Sequence, residues 1–155
     1  MESSQSPKLS TKSFRPVSVG INPTICIIDD NDDSLFLYEW IFTRYLPNYT
    51  FHLFSDGIFL QKYQNPANQK PDLILLDLKM PYISGIELLA RLKQDAQWQR
   101  IPVIVFTNSD SPRDEEACYE AGASDFVKKA FSVNTIKAQL ETICQQWLGY
   151  KHLPL

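Results

Sequence analysis

An open, doubly wound α/β sheet of five parallel strands flanked by five helices is the fold predicted for this chain of 155 residues. Three observations predict it. From residue 24 onward, short apolar β-branched runs alternate with amphipathic helical patterns. Three of those runs are continuously apolar, as strands covered on both faces must be. The length suits one domain of ~100–200 residues, large enough to bury a core without a disulfide or metal staple.

The elements follow in chain order. Residues 1–22 are rich in Ser, Lys, Thr and Pro, and read as a flexible N-terminal tail in which residues 14–21 hold the apolar side chains able to dock. A single domain is expected over residues 23–148, with residues 149–155 as a short tail. The first strand is expected at residues 25–28. Leu35, Tyr38, Ile41, Phe42 and Tyr45 then share one helical face. A second strand (residues 51–54) precedes Asp56, placed to cap a helix bearing Phe59, Leu60 and Tyr63. The third strand, residues 73–76, leads to Ser84 and Glu87, a capping-box pair ahead of Leu88, Leu89 and Leu92. The fourth, residues 103–106, leads to Ser111 and Pro112 with Asp114, Glu115 and Glu116 behind them, a strong helix start. A weak fifth strand at Phe126 and Val127 precedes Ser132, which opens a last helix with the stripe Ile136, Leu140, Ile143 and Trp147.

Composition narrows the function. The net charge is −3, and Lys8, Lys12 and Arg15 against Glu2 give residues 1–22 a net +2, leaving −5 for the rest. Nucleic acid is thereby disfavoured as the main partner, since phosphate binding wants a basic excess. Cys26, Cys118 and Cys144 are odd in number and far apart, so they read as reduced apolar side chains. No signal-peptide pattern and no apolar run near the ~20 residues of a membrane helix is found, and a cytoplasmic location is expected.

In doubly wound sheets the ligand crevice lies beyond the carboxyl ends of the strands. There the first strand delivers Asp29 and Asp30, the third Asp77, the fourth Thr107 and the fifth Lys128 and Lys129. Asp32, Asp33 and Asp56 are expected to be no more than solvated helix caps. Converging carboxylates repel one another, and a hard divalent cation such as Mg²⁺ offsets them. A metal beside a carboxylate, a hydroxyl and an ammonium is a set suited to phosphoryl transfer. Asp77 is the natural acceptor, because it ends the most apolar run.

Four segments resemble response-regulator receiver domains of two-component signalling: Ile27 to Asp33; Leu75 to Gly85, with Pro81 four and Gly85 eight positions after Asp77; Ile101 to Thr107; and Gly122 to Phe131. The resemblance covers about residues 23–147 and implies a flavodoxin-like strand order 2-1-3-4-5. It implies a stand-alone, chemotaxis-regulator-like receiver. Asp77 would accept a phosphoryl group from a sensor histidine kinase or phosphotransfer protein, and Asp29, Asp30, Asp77 and the Lys79 carbonyl would hold Mg²⁺. Thr107 and Lys129 would bond the phosphoryl oxygens, and Phe126 would turn with Thr107. Lys129 is chosen over Lys128 because it directly precedes Ala130 and Phe131, where the family reads Lys-Pro-Phe. The readout would fall on the fifth strand and residues 109–121 and 131–147, toward a downstream protein target.

Two departures stand out. Ala130 replaces the usual Pro, which leaves the preceding bond trans, or cis at about 3–4 kcal/mol. Lys79, two after the acceptor, lines the mouth and is expected to alter the lifetime of the phosphorylated state, in either direction. Two rival readings are weaker. One is a Mg²⁺-dependent aspartyl-phosphate phosphatase, in which Lys79 stands where a general-acid Asp belongs. The other is a receiver fold that binds partners without phosphorylation. A phospho-acceptor rather than an enzyme is expected.

Overall fold

The computed structural model describes residues 22–55, 69–80 and 84–149. The elements are β1 (Thr24–Ile28), α1 (Asp32–Tyr45), β2 (Thr50–Phe54), β3 (Leu73–Leu76), α2 (Gly85–Gln94), β4 (Val103–Thr107), α3 (Pro112–Glu120), β5 (Asp125–Lys128) and α4 (Val133–Leu148). All five expected strands form, and they make one sheet in the order β2-β1-β3-β4-β5 with every pairing parallel. Four helices occur among the described residues. The helix expected after Asp56 falls on residues 56–68, and the expected tail-docking stretch on residues 14–21, both outside them.

Strand side chains alternate between faces, and both faces are covered. Ile25, Ile27, Leu73, Leu75, Ile104 and Phe106 pack with Tyr38, Ile41 and Phe42 of α1 and Ile136, Leu140 and Ile143 of α4. Cys26, Ile28, Ile74, Leu76, Val103 and Val105 pack with Leu88, Leu89 and Leu92 of α2 and Cys118 of α3. This double covering is why β3 is four apolar residues in a row, all buried. Each such side chain contributes about 1.5–3 kcal/mol by leaving water. Tyr45 departs from the expected α1 stripe. It is 42% exposed at the helix end, edge-on to Trp40 and beneath the Lys137 ammonium.

The helix starts follow the polar signals. Ser84, Ser111 and Ser132 each accept a hydrogen bond from the N–H three residues on, at 3.1, 3.3 and 3.1 Å. Such caps are worth about 1 kcal/mol each. At α1 the cap is Asn31, whose side chain accepts from Ser34. Asp32 and Asp33 lie in the first turn, where their charge favours the helix dipole without capping it. Gly122 carries φ 108° in the turn from α3 to β5, a left-handed conformation that glycine adopts freely.

Candidate functional site

Two hydrogen bonds prolong the ladder past the strand ends and fix the acids. The Asp29 N–H donates to Phe54 O at 3.0 Å, and the Asp77 N–H to Ile28 O at 2.9 Å. Ile28 pairs with Leu76, so Asp29 and Asp77 emerge side by side. Asp29, Asp30 and Asp77 each offer a carboxylate oxygen, all within 4.8 Å of one another.

Asp29 is 2% exposed and heavily bonded. Its Oδ1 accepts from the Asn31 N–H at 2.9 Å, while Oδ2 accepts from the Tyr38 hydroxyl at 3.1 Å and the Lys129 ammonium at 2.9 Å. Burial and the Asp29 charge push the Tyr38 hydroxyl far above its usual value, so it remains a donor. Lys129 is buried, its ammonium 5.4 Å from the Tyr38 ring centre and 5.5 Å from that of Phe106. Lys128 turns outward to Asp110 at 3.2 Å. Of the two lysines, Lys129 is the one the fold turns toward the acids.

Asp77 is half-buried. Desolvation first and the Asp29 charge second raise its carboxyl from 3.8 to about 6, against the pull of Lys129 and of hydrogen bonds from Thr107 and Leu78. Thr107 ends β4 and is 1% exposed. By strand parity it faces the α2–α3 side with Val103 and Val105, as does Phe126, which is packed against that cluster. Lys129 faces the α1–α4 side with Val127 and Phe106. Lys79 is exposed, its charge felt at Asp110. The Lys129–Ala130 bond is trans, and no cis bond occurs among the described residues.

The donor set fits a divalent cation. An octahedral ion with bonds near 2.1 Å spans about 3 Å between adjacent ligands and about 4.2 Å between opposite ones. The three carboxylates offer oxygens within 4.8 Å of one another, close to that span, and among the described residues one buried ammonium, that of Lys129, stands against their charge. Gly85 closes the floor. Its N–H donates to Leu78 O at 2.8 Å, and a Cβ there would collide with the Asp77 carbonyl oxygen and sit 2.7 Å from the Leu78 Cα.

Tyr38 was not among the site residues expected from the sequence, because helical spacing assigned it to the core. A phenol in mid-stripe, between Leu35 and Ile41, is the available signal, since a buried hydroxyl needs a partner.

The response regulator receiver domain family matches residues 25–141. The response regulator Rcp1 of Synechocystis is 31% identical over 84% of this chain and 91% of its own length. Its Mn²⁺-bound crystal structure superposes with a TM-score of 0.73 at 29% identity, over 86% of this chain and 99% of that one. The phosphorylated cyanobacterial phytochrome response regulator RcpA gives 0.75 at 26% identity, covering 82% and 94%. The receiver domain of the Pseudomonas aeruginosa sensor histidine kinase PA1611, with magnesium in its active-site cleft, gives 0.68 at 26% identity, covering 83% and 98%. The chain spans half or less of several longer curated relatives.

Proposed function

Since this chain belongs to the response regulator receiver domain family, a family of phospho-acceptors, we propose that it is a phosphorylatable response regulator with Asp77 as the acceptor. The observation that carries the reading is the gathering of Asp29, Asp30 and Asp77 within 4.8 Å, with the Lys129 ammonium 2.9 Å from Asp29. Asp77 follows the central strand, and desolvation and the Asp29 charge raise its carboxyl, which suits a nucleophile. An Asp77 carboxylate oxygen attacks the phosphorus of a phosphohistidine on a sensor kinase or phosphotransfer protein. The O–P bond forms as the N–P bond breaks, and the imidazole nitrogen keeps the electron pair.

Asp29, Asp30, Asp77 and the Lys79 carbonyl are the groups that would hold Mg²⁺, which supplies charge neutralisation at the phosphoryl oxygens. Thr107 donates its hydroxyl to the new phosphoryl group and Lys129 its ammonium. The added charge of about −1.5 to −2 is what draws them in. Phe126 shares the Thr107 face and follows it. Lys79 at the mouth modulates the lifetime of the phosphorylated state. The readout face is α3, β5 and α4, which contacts a downstream protein. Phosphohistidine donors made with ATP place this exchange in the cytoplasm.

Incubation with acetyl phosphate and Mg²⁺ followed by intact mass tests the reading. A labile phosphoryl adduct on the native chain, missing from Asp77→Asn, is the expected result. No adduct on the native chain overturns it in favour of an unphosphorylated interaction module.

A further inference from the structure

We infer that Gln139 of α4 is a positioning residue for Lys129, acting through a side-chain amide that stands in for a neighbouring strand. β5 is an edge strand, and an edge leaves every second pair of backbone groups unpaired. Around Lys129 the inward group is its own N–H, which donates to Thr107 O on β4 at 2.7 Å. The outward groups are Lys128 C=O and Ala130 N–H. Gln139 meets both. Its Nε2 donates to Lys128 O at 2.8 Å, and its Oε1 accepts from Ala130 N–H at 3.0 Å.

A primary amide carries a donor and an acceptor in one plane, the pair that a peptide unit presents across a parallel ladder. The backbone on either side of residue 129 is therefore held from both edges, twice by α4 and once by β4. Only one amide orientation satisfies both contacts. Residue 130 must also keep its N–H, which Ala130 does. From this fixed start the Lys129 side chain reaches the Tyr38 and Phe106 rings and Asp29. Displacement of the Lys129 backbone is transmitted directly to α4. The kinetic consequence rests on the phospho-acceptor reading above, whereas the clamp itself does not.

Two measurements on the full chain test it. Amide hydrogen exchange in Gln139→Ala is expected to quicken about tenfold at Ala130, the loss of one backbone hydrogen bond, with the β3 amides unchanged. Gln139→Leu, close in volume but without the amide, is expected to do the same without opening a gap. With acetyl phosphate and Mg²⁺, both variants are expected to take up the phosphoryl group several-fold more slowly. In a Lys129→Ala background they are expected to have no further effect, the non-additivity of residues acting through one another. Unchanged exchange at Ala130 overturns the clamp. An equal slowing in the Lys129→Ala background overturns the positioning role. A native chain that takes up no phosphoryl group removes the acceptor reading instead, and the exchange result still decides the clamp.

Discussion

Asp77 carries its proton to an unusually high pH for a carboxyl, about 6 against 3.8, because it is partly desolvated beside Asp29. At this group the folded chain thus binds more protons than the unfolded one between about pH 4 and 6, and the contribution of Asp77 to stability falls as pH rises through that window. Asp77→Asn is expected to stabilise the metal-free protein by about 1–2 kcal/mol near pH 7.5, a value discounted for partial solvation, and by nothing near pH 4. Urea unfolding in the presence of a chelator reads this directly, and an equal gain at both pH values contradicts it. Tyr38→Phe removes one of the two donors on Asp29 Oδ2 and is expected to destabilise by about 1–2 kcal/mol in thermal unfolding. The five polar residues Asp29, Asp30, Asp77, Thr107 and Lys129 were legible in the sequence because each is the first polar position after an apolar run, or lies within two residues of its end. Tyr38 and Gln139 were not. Both reach the site from helices, and helical spacing reports which residues share a face without reporting what a polar tip meets across a layer.

Among the elements, α2 is the one whose start is constrained by the site. Gly85 is buried against the backbone of Asp77 and Leu78, so its lack of a side chain is a packing requirement. Helix propensity alone gives Ala about 1 kcal/mol over Gly. The opposite sign is expected here: Gly85→Ala destabilises by about 1–3 kcal/mol, the range for forcing atoms into filled space. Denaturant unfolding checks it, and a stabilised variant would show that α2 can shift freely. The strands were readable because continuous apolar runs have few other uses in a chain of this length, and the caps Ser84, Ser111 and Ser132 marked their helices. Spacing misplaced two details. Tyr45 continues the α1 stripe in number yet is 42% exposed, and Asn31 takes the capping role expected of the acids behind it.

At the scale of the whole molecule, the acidic cluster is a liability that, under the proposed function, a divalent cation relieves. Ligand binding to the folded state stabilises by about 2.7 kcal/mol at a concentration one hundred times Kd. Mg²⁺ is expected to raise the thermal midpoint in a saturable way, and Asp30→Asn, an exposed position, is expected to abolish the rise. A matching rise with monovalent salt alone would mean general screening. The opposite parities of Thr107 and Lys129 have a further outcome. Asp77 sits on the middle strand, with a hydroxyl arriving from one leaf of the sandwich and an ammonium from the other. Under the phospho-acceptor reading, an occupant of that carboxylate would draw on both leaves in a single event, so two listeners on opposite sides of the molecule would be informed simultaneously without competing for the same surface.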